Sequence, residues 1–149
     1  MQHLLRCAVA LMLLFLGPAL AQTTDESAIS KLLHTTFDRP DAPLTIAPVV
    51  VSRNHAIAGW TQGDTGGRAL LRRKGESWEL ILCAGDGIKS RDALAKAGIP
   101  AQDAAALERD LAAAESKLPP QHVTMFSRFE GILMMDGSGS HPPIDHTKN

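Results

Sequence analysis

The stretch from His55 to Gly87, HAIAGWTQGDTGGRALLRRKGESWELILCAGDG, decides the fold. Ala56 to Gln62 reads as a strand anchored by Trp60. Gly63-Asp64-Thr65-Gly66-Gly67 is a loop, because glycine and aspartate accept the backbone angles a reversal needs. Arg68 to Arg73 returns with Leu70 and Leu71, and Lys74-Gly75-Glu76-Ser77 turns the chain again. In Trp78 to Cys83, the residues Leu80 to Cys83 are apolar without a break. Such a run predicts a strand covered on both faces. Turns spaced about ten residues apart predict an antiparallel meander.

Toward the N-terminus, Leu44 to Ser52 supplies one more strand, since Ile46, Val49, Val50 and Val51 are β-branched. Pro48 marks its start or a sheet edge, and Arg53-Asn54 turns into the central stretch. Before it, Ile29, Leu32 and Leu33 fall on one helical face that Phe37 extends. Asp25 or Ser27 is the expected cap, and Pro40 and Pro43 stop the helix. His34, beside the stripe, reads as a surface or packed side chain.

Residues 1–21 read as a cleavable secretory signal peptide. Arg6 gives a positive start, Cys7 to Leu16 is apolar, Gly17-Pro18 breaks the run, and Ala19-Leu20-Ala21 is a small-residue cleavage site. The apolar run is short of the roughly 20 residues a membrane span needs; a retained N-terminal anchor is the alternative. The exported chain then begins at Gln22, and no membrane span is expected after cleavage. The formal net charge is −1, and the signal carries away Arg6 and no acid. Such a balance gives no reason to expect nucleic acid or an anionic membrane as partner. Cys7 leaves with the signal, so Cys83 is left alone in an oxidising compartment. A lone thiol there is buried, paired with another chain, or a metal ligand, with burial the default.

Beyond the central stretch, Ser90 caps a short helix to Lys96 and Gly98 stops it. Pro100 opens an alanine-rich helix to about Lys117. Leu107, Leu111, Ala114 and Leu118 make its apolar stripe, and Asp103, Glu108, Arg109, Asp110, Glu115 and Lys117 cover the remainder. Gln121 to Met135 is too apolar for a free tail, and Gly131 is a break within it. The fold class is therefore α+β: a small antiparallel β-meander of about four strands, packed by an N-terminal helix and an alanine-rich helical arm. One domain spans residues 22–135, and residues 136–149 form a flexible Gly/Ser/Pro/His tail.

Little here resembles catalytic machinery. Asp64-Thr65-Gly66 matches the aspartic-protease triplet, but that chemistry needs two carboxylates sharing a proton, and the triplet occurs once, at a hairpin tip. Gly85-Asp86-Gly87 reads as a redirection of the chain. G-x-S-x-G and H-E-x-x-H are absent, and the chain contains no tyrosine. No enzymatic activity is expected.

The chemistry-bearing candidates lie at the C-terminus. Met134 and Met135 precede the tail, and His141 and His146 lie within it. Thioethers are soft donors that select Cu(I), and imidazole also suits copper. These four residues are the expected metal ligands, with Cu(I) favoured. Asp145 adds an oxygen donor that Cu(II) would tolerate, and His122 and Met125 are further donors if the segment folds back. Zinc fits less well, because one cysteine and methionines make a poor zinc set.

Several motifs follow one another in order: G-W-x-x-G-D-x-G-G-R-A-L-L-R-R (Gly59 to Arg73), W-x-x-x-L-C-x-G-D (Trp78 to Asp86), an alanine-rich helix, and F-x-G-x-x-M-M-D-G with a His/Pro tail (Phe129 to His146). Together with the signal peptide they resemble the small copper uptake system-associated proteins of bacteria with two membranes. The resemblance covers nearly the whole exported chain. It implies a periplasmic, non-enzymatic accessory of copper uptake and copper homeostasis. It implies a copper importer, or a periplasmic copper chaperone that supplies respiratory oxidases, as partner. The alternative is a non-metal periplasmic interaction module that docks on a transporter or chaperone.

Overall fold

The computed structural model describes residues 17–135, with side chains from residue 24 onward. The fold is α+β. Helix α1 (Gly17–Phe37) leads into strands β1 (Leu44–Ser52), β2 (His55–Gln62), β3 (Thr65–Lys74) and β4 (Ser77–Ala84). A short 3-10 turn (Asp86–Ile88), α2 (Arg91–Lys96), α3 (Ala101–Glu115), α4 (Pro120–Phe126) and β5 (Ile132–Met134) follow. The sheet is antiparallel in the order β1-β2-β3-β4-β5.

The sheet has five strands where the sequence predicts about four. The additional one comes from Gln121 to Met135, which divides into a helix and a strand. Pro120 sits in the first turn of α4, where the missing amide donor has no helical partner to lose. Gly131 then takes φ +75°, a left-handed turn that glycine reaches without Cβ strain. Past it, Leu133 pairs with Cys83 and Met134 with Leu82.

Two apolar layers hold the sheet. On one face Ile29 and Leu33 of α1 pack against Ala56, Ala58, Ala69, Leu71 and Leu80. On the other, Leu94, Leu107 and Leu111 from the helical arm pack against Val50, Ile57, Leu70 and Leu82. The unbroken apolar run of β4 follows from this, because its residues serve both layers, Leu80 and Cys83 the first and Ile81 and Leu82 the second, across a bulge in the β3–β4 register. Close packing also dictates Gly59 of β2. A Cβ there would lie 2.9 Å from the Phe126 ring and 2.8 Å from the Ala47 carbonyl oxygen.

Several polar expectations change. The sequence puts Asp103 and Glu115 on the outer surface of α3, but they are 3% and 6% exposed. Each is buried because it meets a cation or donor from the sheet. Asp25 lies inside α1 rather than at its start, and it accepts from Arg73 Nη2 at 2.5 Å and from Trp78 Nε1 at 3.4 Å. Arg73 also stacks on the Trp78 ring, 4.4 Å from its centroid. The helix runs through the expected cleavage point after Ala21. Residues 1–16 of the expected signal and the tail 136–149 lie outside the described residues. Among the described residues, no helix is long and apolar enough to cross a membrane.

Candidate functional site

Strand alternation separates the two methionines. Met134 pairs with Leu82, whose side chain enters the α2–α3 layer, and its own side chain is 53% exposed at the sheet edge. Ile132, two residues back on the same side, is 59% exposed. Met135 continues the ladder, donating its amide to the Ile81 carbonyl at 2.8 Å, and its side chain packs into the α1 layer. Met134 and Met135 therefore point to opposite faces. His141 and His146, with Asp145, lie outside the described residues. His122 is exposed on α4 and Met125 is half-buried there. Among the described residues, no group of three or more His, Cys, Asp or Glu side chains is arranged to hold a metal ion.

Met135 opens onto a cavity of about 140 Å³ between α1, the sheet and the segment after α4. Leu33, Phe37, Trp60, Cys83 and Phe129 share its walls with Met135. Trp60 and Phe129 meet edge to face, with ring centroids 5.9 Å apart. This pair lies over Gly67, where a Cβ would come within 2.9 Å of Trp60 Cζ2 and 3.1 Å of Phe129 Cβ. Gln62 is the polar wall residue, and its amide is already engaged with the Phe37 and Ala42 carbonyls. Trp60 Nε1 is buried and finds no acceptor among the described residues.

Cys83 is 5% exposed on this wall, and burial pushes its thiol up to about 12. It stays protonated at neutral pH. A thiolate is the metal-binding and nucleophilic form, so Cys83 is a packed apolar side chain rather than an open capture ligand.

Two charged clusters on the opposite face are structural. Arg68, fully buried on β3, donates from Nε and Nη2 to Glu115 and from Nη1 to Asp86. Its guanidinium also lies 5.3 Å from the Phe126 ring centroid. Partial burial pushes the Asp86 carboxyl up, but the Ser127 hydroxyl, Lys89 and Arg68 outweigh that and hold it below the usual aspartate value. This cluster ties β3, α3, the 3-10 turn and the end of α4 together, which is the work done by Gly85-Asp86-Gly87.

The second cluster joins the β1–β2 turn to α3. His55 Nδ1 lies 3.0 Å from Asp103 Oδ2, and Ser52 Oγ donates to Oδ1 at 3.2 Å. The three residue types invite comparison with a nucleophile relay. The geometry differs, because the serine hydroxyl donates to the carboxylate and not to the imidazole. Asp64 likewise sits in the β2–β3 turn, where Arg128 donates to its backbone carbonyl. His34 pairs with Asp38 at the end of α1, 3.1 Å away.

Sequence reasoning missed the cavity and both clusters. The one signal for the cavity was the placement of Trp60, Cys83 and Phe129 inside the ordered motifs. Comparison with protein-family models, with curated proteins and with solved structures finds no match for this chain.

Proposed function

We propose that the protein is a periplasmic accessory of copper uptake and homeostasis, which carries Cu(I) as cargo and catalyses no reaction. The observation that carries this reading is Met134, a thioether 53% exposed on the edge strand immediately before the histidine-bearing tail. A large apolar side chain so placed forgoes burial, and its soft sulfur is left free for a soft cation. His141 and His146 follow closely enough in the chain to add imidazole donors. The donor set fits Cu(I): it is neutral, soft and unsuited to zinc or calcium. Met135 and Cys83 fit less well, since one is turned into the cavity and the other is held protonated. The ordered motifs from Gly59 to His146 support the same reading, with a copper importer or periplasmic chaperone as partner.

The same edge supports a second reading, a non-metal interaction module. Ile132 and Met134 are exposed on an outer strand, where a partner segment can add by backbone hydrogen bonds. Met134→Ile separates the two, because it keeps an apolar edge and removes the sulfur. Cu(I) would be titrated anaerobically against a chromophoric chelator, using the exported chain, Met134→Ile, and the double variant His141→Ala/His146→Ala. The copper reading expects one equivalent bound by the parent and an affinity loss of about tenfold or more in each variant, since losing even an outer-shell partner of a metal ligand costs about 10–100-fold. Absence of Cu(I) binding by the parent would overturn it in favour of the interaction module.

A further inference from the structure

The outer edge of β5 is open, and the hydrogen-bond phase of the strand fixes how it can be closed. Met135 donates its amide to the Ile81 carbonyl, so Met135 and, two residues back, Leu133 turn their N–H and C=O groups toward β4. In an antiparallel ladder the residues between turn the other way. Ile132 and Met134 therefore aim their backbone groups away from the sheet, with no partner among the described residues. They are also the large hydrophobic residues left exposed among the described residues, at 59% and 53%. The opposite edge is guarded, because β1 carries Pro48 at an irregularity in its pairing with β2, a device that blocks further strands. β5 carries neither proline nor charge.

From Met135 the chain continues as Asp136-Gly137-Ser138-Gly139-Ser140-His141-Pro142-Pro143, outside the described residues. Two-residue hairpin turns carry Asp-Gly or a leading glycine, and the residues flanking the turn face each other with their N–H and C=O groups. A turn at Asp136-Gly137 has Met135 as its flank, and Met135 is already turned toward β4. A turn at Gly137-Ser138 has Asp136 as its flank, in phase with Met134. Of the two, the second fits the ladder. Its register pairs Met135 with Ser140, Met134 with His141 and Leu133 with Pro142. Pro142 then has its nitrogen facing outward, where a sheet edge tolerates proline. Pro143 lacks the donor that the Ile132 carbonyl needs and ends the strand.

We infer that residues 139–142 fold back along β5 as a sixth strand, through a turn at Gly137-Ser138, and set His141 directly opposite Met134 on one face of the sheet. Directly opposed side chains on one face are in contact. A thioether and an imidazole held side by side make a two-donor seat for Cu(I). That use of the pair rests on the copper reading above, whereas the hairpin rests on the register alone. His146 lies past the two prolines and outside the pairing.

The test uses the chain from Gln22 to Asn149, labelled with 13C and 15N, first without metal. The inference expects a short Hα–Hα contact between Leu133 and Pro142, since a pair without mutual hydrogen bonds brings its Cα atoms closest. It expects the Met134 amide to exchange about fivefold more slowly than in Gly137→Val, as one net hydrogen bond implies. Valine is strained at the positive φ that this turn demands. The Met135 amide, held by Ile81, should exchange alike in both chains and reports that the variant is folded. Cu(I) affinity should fall in Gly137→Val by the same factor as in His141→Ala, although Gly137 offers no donor side chain. Absence of the Leu133–Pro142 contact, with a Met134 amide that exchanges alike in both chains, overturns the inference. Contacts in another register, or contacts between copies that grow with concentration, overturn it too. The contact without Cu(I) binding supports the hairpin and overturns the copper reading. Unchanged affinity in Gly137→Val, with the contact present in the parent, overturns the paired seat.

Discussion

Arg68 and Glu115 meet as two parallel hydrogen bonds closed off from water. Nε donates to Oε1 at 2.6 Å and Nη2 to Oε2 at 2.9 Å, between residues 0% and 6% exposed. A pair this deep is costly to break from one side, because the remaining Arg68 keeps its Nη1 bond to Asp86 but loses both bonds to Glu115 with no solvent to replace them. Glu115→Ala is expected to lower stability by about 3–5 kcal/mol. Replacing both by leucine should lose much less, since no buried charge is left over. Urea unfolding of the three chains checks this, and equal losses in the single and double variants would contradict it.

Asp103 joins α3 to the β1–β2 turn through Ser52 and His55. Asp103→Ala leaves these donors without their shared acceptor and is expected to cost about 2 kcal/mol. Asp110, on the same helix, pairs with the exposed Arg109 among the described residues, and Asp110→Ala should stay within about 0.5 kcal/mol of the parent. Thermal and urea denaturation of the two variants side by side give the comparison.

The buried thiol makes an alkaline signature. Cys83 in the fold is pushed up to about 12 from 9.0, so the unfolded chain loses this proton first. Below pH 9 the contribution is fully present, and it is lost as pH rises from 9 toward 12. The slope is about 1.4 kcal/mol per pH unit once the unfolded thiol has ionised. Lysines titrate in the same range, so the informative quantity is the difference from Cys83→Ala. The parent's advantage over that variant should shrink between pH 8 and pH 10.5. A pH-independent difference would contradict the burial argument. The native thiol should also react with a disulfide reagent at pH 8 far more slowly than the thiol in urea.

The β1–β4 meander was legible because its turns carry Gly63 and Gly75 at positive φ and its strands carry the β-branched and aromatic residues. Leu107 and Leu111 likewise fell on the buried stripe of α3. What stayed hidden depends on distant partners. Asp103 and Glu115 look like surface acids on a helical wheel, and only contacts with His55 and Arg68 place them inside. Asp25 reads as a cap until Arg73 and Trp78 reach it from the sheet. Gln121 to Met135 gave no single period because it is a helix and a strand joined at Gly131. For the candidate site, the sequence proposes Met134 and Met135 together, but only the pairing of Met134 with Leu82 shows that these adjacent thioethers face apart.

The most direct test of the copper account follows the methionine methyl groups. The chain from Gln22 to Asn149, labelled with 13C in its methionine methyls, would be titrated anaerobically with Cu(I). The account expects the Met134 methyl to shift and to saturate at one equivalent, while Met125, on α4, and Met135, in the α1 layer, stay in place. A Met134 methyl unmoved by excess Cu(I) would contradict capture at the sheet edge and leave that edge as a surface for a protein partner.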